Sequence, residues 1–360
     1  MNRIRITPLT VPTSLDAADA DEFRTMVELS NRMARLDAGI DDLDDDPEQI
    51  LPSWLDQTDR RSHGFVARRD GRILGVATVR TSMAEHTTTA DLEFAVLPEQ
   101  IRDGVGQLLL DRVEAEAASL GRTVLQTWSL HPAVGTGTGR ILRPQTLRGQ
   151  AEATAFTDLL ESNGYTLEQV ERNSALPLHG SLDAVRERHA QAWAAAGADY
   201  RLETWTLPTP EHLQAGYGAV IARMATDVPA GDLEMTPEVW DEAKVRRRDA
   251  QFVAGGQTMS VAAVIHISTG EMVAFNELQI GQDTTGVTHQ WGTLVVPEHR
   301  GRRLGTLVKC ANLVRWREIA PSSPKVSTFN AEENRPMLDI NEALGFVAVS
   351  HAGAWQKRLG

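Results

Sequence analysis

The sequence predicts an α/β (α+β) protein built as two tandem copies of one fold, and three observations predict it. The first is length: 360 residues exceed what one ordinary core organises, so two domains are expected. The second is an internal repeat. "VLPE" at Val96–Glu99 returns as "VVPE" at Val295–Glu298, a spacing of 199 residues (297 − 98) between the prolines, and Gly71 and Gly270 keep the same spacing. The third is that strand-like and helix-like stretches follow one another in the same order in both halves.

Each copy opens on a short strand ("RIRITPLT"; "YRLETWTL") and a helical region ("DEFRTMVELSNRMARLD"; "PEHLQAGYGAVIARMATD"). A hairpin turns at Asp70-Gly71 or Thr269-Gly270. A third apolar strand runs into the Pro-Glu motif ("ADLEFAVLPE"; "VTHQWGTLVVPE"). The next helix carries apolar residues at helical spacing: Val105, Leu108, Leu109 and Val113 in one copy, Leu304, Leu307, Val308 and Ala311 in the other. A strand ("TVLQTWSL"; "KVSTFN") then leads to a second helix ending at Gly164-Tyr165 or Gly345-Phe346. The stretch "SLDAVRERHAQAWAAAGA" reads as a connecting helix, which sets the expected division at 1–180, a linker at 181–199, and 200–360. The first copy is longer by the insertion "AVGTGTGRILRPQTLRGQ", open as either a functional loop or a plain linker.

Composition narrows the partners. A formal net charge of -13 argues against nucleic acid and is compatible with a cationic acceptor. The single Cys310 excludes a disulfide framework and a cysteine zinc site, and its helical context reads as packing. No metal is expected. Neither a signal-peptide core nor a run of about 20 apolar residues is seen, so a cytoplasmic protein away from membranes, monomeric or homodimeric, is expected.

The concentrated signal is "VVPEHRGRRLG", Val295–Gly305. An apolar strand, an Arg/Gly-rich turn and a helix N-terminus make an anion site, because unpaired N–H groups and the helix dipole face the same point. Gly301 and Gly305 allow close approach of phosphate, and Arg300, Arg302 and Arg303 add positive charge. A P-loop needs Gly-x4-Gly-Lys-Ser/Thr, which is lacking, and "GTGTGR" at Gly135–Arg140 misses the last glycine of a dinucleotide fingerprint.

"TLVVPEHRGRRLGTLVK", followed by "TFNAEENRPMLDINEALGF", resembles the acyl-CoA site of the GNAT N-acetyltransferase superfamily, whose Arg/Gln-x-x-Gly-x-Gly/Ala turn cradles the CoA pyrophosphate. Arg300 and Gly305 take the outer positions, while Arg303 replaces the central glycine. Because both copies fit, the whole chain resembles the tandem GNAT proteins of actinobacteria. The resemblance implies two GNAT folds, each a mixed, mostly antiparallel sheet flanked by helices. It also implies acetyl-CoA as cosubstrate, bound by Leu294, Val295, Val296, Leu304 and Thr306 beside the turn and by Asn330 and Asn334; the last two also suit a helix cap. In the first copy the turn reads Ile101, Gly104, Gly106 without the arginine, so the second copy is expected to hold the working site.

Acyl transfer to an amine needs a base, an oxyanion donor and help for the leaving thiolate. Asn341 stands where the family often has its tyrosine acid, and otherwise reads as a helix contact. Glu277 reads as a base or as an exposed strand carboxylate, and His289 as a base or a structural histidine. Asp227, Asp232 and Glu234 lie on a Pro/Gly loop that either recognises an ammonium group or is acidic for solubility. The expected activity is acyl transfer, acetyl in the first instance, to a small-molecule amine. The alternative is an acyl-CoA-binding sensor or scaffold without turnover.

Overall fold

In the computed structural model, which describes residues 3–133 and 139–359, the first copy runs β1 (Arg5–Pro8), α1 (Asp21–Ala38), α2 (Pro47–Leu55), β2 (Arg60–Arg69), β3 (Arg72–Ser82), β4 (Thr89–Ala95), α3 (Pro98–Arg102), α4 (Val105–Ser119) and β5 (Val124–Pro132). A small ribbon, β6 (Ile141–Leu142) and β7 (Ala151–Glu152), then α5 (Ala155–Ser162) and β8 (Thr166–Pro177), complete it. Helix α6 (Asp183–Ala196) connects to the second copy: β9 (Tyr200–Thr206), α7 (Glu211–Ala222), α8 (Met224–Asp227), α9 (Glu242–Ala254), β10 (Thr258–His266), β11 (Met272–Ile280) and β12 (Thr288–Val295). It ends with α10 (Leu304–Ile319), β13 (Lys325–Ala331), α11 (Arg335–Leu344) and β14 (Val347–Arg358). Part of the glycine-rich insertion, residues 134–138, lies outside the described residues.

The two copies share one twelve-stranded sheet in the order β1-β2-β3-β4-β5-β14-β8-β13-β12-β11-β10-β9. Its outer parts are antiparallel meanders, with parallel pairs only at β4–β5 and β12–β13. The centre is exchanged. β14, the last strand of the second copy, lies against β5 of the first from Ser350↔Pro132 to Arg358↔Val124, while β8 of the first copy lies against β13 of the second from Lys325↔Pro177 to Ala331↔Glu171. β14 and β8 then pair with each other and close the sheet. Sequence patterning predicts neither β8 nor β14, since it ends each copy at Gly164 or Gly345.

The cores follow the exchange. Trp355 of β14 is fully buried in the first-copy core with Leu109, Leu125 and Leu160, and Leu176 of β8 packs with Leu278, Leu313 and Trp316 of the second. Removing an indole from such a core costs about 3–5 kcal/mol, so each half is held by a strand the other half encodes. Helices α1 and α11 end where glycine takes a left-handed conformation, at Gly39 (φ 72°) and Gly345 (φ 98°). Burial pushes the Cys310 thiol up to about 12, which fits a packed side chain. Among the described residues, no helix is long and apolar enough to cross a membrane.

Candidate functional site

The second copy bulges its sheet where the first keeps its register. On β12 the register against β11 slips between Asn276↔Thr293 and Leu278↔Gln290, so Trp291 and Gly292 bulge opposite Glu277. The β12–β13 pairing stops at His289↔Ser327, and the strands diverge towards the turn. In the first copy β3 and β4 pair without a slip, and β4–β5 pairing ends at Leu92↔Thr127. Gly292 is required by close approach, because a Cβ there would come within 2.6 Å of the Phe275 ring and 3.1 Å of Glu277 Oε2. The first copy has Glu93 at the equivalent position.

The turn itself opens towards solvent. After a short 3-10 turn at Pro297–His299, Gly301 (φ 82°) and Arg303 (φ 58°) adopt left-handed backbone, and α10 begins. The first copy has Gly104 (φ 83°) at the Arg303 position, so both copies keep left-handed backbone there, in the second at a strain cost of about 1 kcal/mol. The first helical N–H to find a carbonyl is that of Leu307, on Arg303 at 3.0 Å. The N–H groups before it, including those of Leu304, Gly305 and Thr306, stay at the helix N-terminus without backbone partners among the described residues. In the first copy α3 consumes the N–H groups of Asp103 and Gly104, and Asp103 sets a negative charge beside them.

Arg302 and Arg303 are exposed around this N-terminus, with Arg302 stacked 5.8 Å from the Tyr200 ring centre. Arg300 turns back instead: Nε donates to the Val295 carbonyl at 3.1 Å and Nη2 to the Asp227 carbonyl at 2.9 Å, clamping the turn to α8. Gly305 is set by packing, since a Cβ would lie 3.2 Å from Ile340 Cδ1 and 3.5 Å from Val295 Cγ2. Leu294 and Val295 pair with Phe275 and Ala274 on the β11 side, and the Val296 N–H bonds the Val273 carbonyl at 2.9 Å. Asn334 is the N-cap of α11, but its side chain makes no capping bond.

The predicted chemistry residues separate. Glu277 is buried and fully engaged. It accepts from Arg248 at 2.9 Å, from the Gly292 N–H at 3.0 Å and from the Tyr217 hydroxyl. Burial and the adjacent carboxylate push the Tyr217 pKa well above its usual value. This network fills the space beneath the bulge. Asn341 is buried too, donating to Asn330 Oδ1 at 2.7 Å and accepting from Lys309 at 2.6 Å. His289 occupies the last paired rung before the gap, and burial holds its pKa below the usual range against the pull of Asp42, so the ring is neutral at pH 7.

Asp227, Asp232 and Glu234 are tied into the scaffold. Asp227 pairs with Arg223 at 2.5 Å, and Glu234 meets Arg358 and Thr88. Gln356 of β14 accepts from the Glu234 N–H at 2.7 Å and donates to the Asp232 carbonyl at 3.1 Å. This loop thus reaches across to the first copy. The matching loop of the first copy reaches the other way, where Asp42 meets Lys325 of β13 at 2.5 Å.

Sequence reasoning missed the principal cavity, about 910 Å3, which lies between α1, α2 and α9 over the sheet. It touches both diverging strand pairs, at Phe94 and Leu130 in the first copy and at His289, Gln290 and Thr328 in the second. Asp37, Asp44, Asp45 and Glu93 line it, along with Trp54, Trp128 and Trp291. Asp44 pairs with Arg35 and Glu93 with Arg80. Burial pushes the Asp37 carboxyl up to about 7. Gln290 Nε2 donates to Thr328 Oγ1 at 3.0 Å across the gap, whereas its buried Oε1 has no partner. Such an orphan acceptor fits a ligand carrying N–H donors, as the amides of a pantetheine arm do.

The second copy thus joins a bulged strand, a diverging parallel pair and an open basic helix N-terminus. Residues 24–135, within the first copy, match the acetyltransferase (GNAT) family model. The chain has the fold of tandem GNAT proteins. It is similar over 99% of its length to a tandem GNAT protein from the clavulanic acid biosynthesis pathway, covering 99% of that chain at 22% identity and a TM-score of 0.73. It also resembles a GCN5-related N-acetyltransferase from Sphaerobacter thermophilus (14% identity, TM-score 0.59, 99% of this chain and 95% of that one). A third likeness is a glucosamine N-acetyltransferase region in a fungal multi-domain β-N-acetylglucosaminidase (12%, 0.61), where the match covers 99% of this chain and 38% of the other. No curated protein matches the sequence. The family match falls on the first copy, while the bulge and basic turn lie on the second.

Proposed function

We propose that the protein transfers an acyl group, acetyl in the first instance, from coenzyme A to the amine of a small molecule. The phosphates would lie at Arg302, Arg303 and the N-terminus of α10, and the thioester arm in the β12–β13 gap. The observation that supports this most directly is continuity: the acidic cavity opens onto that gap at His289, Gln290 and Thr328. The acyl-CoA supplies an activated carbonyl. The chain supplies the rest: carboxylates that attract an ammonium, aromatic rings that flank it, and His289, neutral at pH 7, to take its proton. Glu277 is not the base in this scheme, because Arg248 and Tyr217 hold it.

The test is calorimetric titration with acetyl-CoA, then turnover with a panel of primary amines that includes glucosamine. Arg302→Glu/Arg303→Glu, which avoids the packing clash any side chain meets at Gly305, is expected to weaken acetyl-CoA binding by about tenfold or more, with the loss growing at low salt. Unchanged affinity would remove the turn from the site. The engaged state of Glu277 favours a second reading, an acyl-CoA sensor, and binding without turnover on any amine would select it.

The pH dependence has a definite sign. kcat/KM should fall with acidification below the depressed His289 pKa, and His289→Gln should abolish that limb. Asp37 is ionised only above about 7, so affinity for a cationic acceptor should rise as pH passes 7. In Asp37→Asn that rise should disappear. A wild-type KM flat from pH 6 to 8 would place the ammonium elsewhere.

A further inference from the structure

The second copy encloses a lysine that the scheme above leaves unused. Lys309 of α10 is completely buried, and among the described residues no carboxylate pairs with it. Its Nζ donates to Asn341 Oδ1 at 2.6 Å and lies 5.8 Å from the Phe346 ring centre. Asn341 passes the contact on to Asn330, three residues beyond the last β12–β13 rung. The first copy has Leu110 and Leu160 at the positions of Lys309 and Asn341, and both leucines are fully buried. Stability alone favours the leucines, since an enclosed ammonium without a counter-charge is costly. That cost shows as a pKa lowered by burial to about 7.

The geometry fixes an orientation. A lysine ammonium only donates, so the oxygen of the Asn341 amide must face it and the NH2 must face Asn330 on β13. One of those two hydrogens goes to Asn330. We propose that Lys309 is a positioning residue for the departing thiolate of coenzyme A, holding the Asn341 N–H and a positive charge at the wall of the β12–β13 gap. The proposal rests on acyl-CoA occupying that gap. In the transfer, the amine nitrogen bonds the carbonyl carbon and its proton goes to His289 or water. The C–S bond breaks with its electron pair on sulfur, and the thiolate is stabilised there until water protonates it.

The other groups around Lys309 supply no counter-charge among the described residues, so a thiolate in the gap would be the group that holds Lys309 in its ammonium form. Cys310, its neighbour on α10, is neutral at physiological pH, and Arg188 of α6 bears on Cys310. On α11 and β13 the facing side chains, Asn341 and Asn330, do not titrate.

The experiment uses coenzyme A itself. Its bound thiol is titrated by thiolate absorbance in the wild type, in Lys309→Met and in Lys309→Leu/Asn341→Leu. The double variant reproduces the first copy's leucines and is expected to fold. The bound thiol should ionise about one pH unit lower in the wild type than in either variant, tenfold in thiolate at a given pH, with CoA affinity retained. The same thiol titration in all three proteins, with CoA bound, would overturn the role of Lys309 and leave the acyl-CoA site standing. Failure of the wild type to bind CoA would overturn the site itself and this role with it.

Discussion

The two copies share a fold and divide its chemistry. Under β4 the first copy leaves an open, acidic cavity; at the matching place the second copy is filled by Tyr217, Glu277 and Arg248. At the helix N-terminus the difference is reversed. There the second copy has Arg302 and Arg303 around free N–H groups, and the first has Asp103 and an extra helical turn. Duplication supplies two equivalent frames, and small local changes leave one with a basic helix N-terminus and the other with an acidic cavity.

The largest test of this comparison is the filled site. Arg248→Met would strand the Glu277 carboxylate in the core and cost about 3–5 kcal/mol, read as a lower urea midpoint, whereas Arg248→Met/Glu277→Met should recover most of it. A single variant as stable as wild type would show that the network is not what fills the second copy. Next comes the exchange. Trp355→Ala should cost about 3–5 kcal/mol, and faster hydrogen exchange should appear first in β2–β5, the core of the other copy. Loss of protection confined to β9–β12 would contradict the exchanged cores.

The smallest effect sharpens the turn. Arg303→Gly should stabilise the protein by about 1 kcal/mol by relieving left-handed strain, and Gly104→Arg should cost a similar amount in the first copy. Equal and opposite shifts in melting temperature would confirm equivalent frames. No shift in either would mean that the turns relax freely.

Much of the molecule was legible in advance. The repeat at Pro98 and Pro297, the hairpins, the helix after each Pro-Glu motif and the basic turn all lie within short windows of sequence, where periodicity and glycine placement report local backbone preference. The site was legible only in part. His289 and the Arg302–Arg303 turn face the proposed ligand path. Glu277 was visible as a strand carboxylate, but its partner Arg248 lies on another element, and no local pattern announces a buried ion pair. The loop acids Asp227 and Glu234 are tied to Arg223 and Arg358, while no sequence pattern singled out the cavity acids Asp37 and Asp45.

By itself, then, the sequence determined a duplicated α/β chain, the repeated part of its element order and a basic helix N-terminus, because these depend on side chains close along the chain. The tertiary structure decided the rest. The trade of β8 and β14, the cavity spanning both copies, and the enclosure of Glu277 and Lys309 depend on which distant surfaces exclude water together. That choice is made by the packing of the whole sheet, and a strand's own residues do not name the strand beside it.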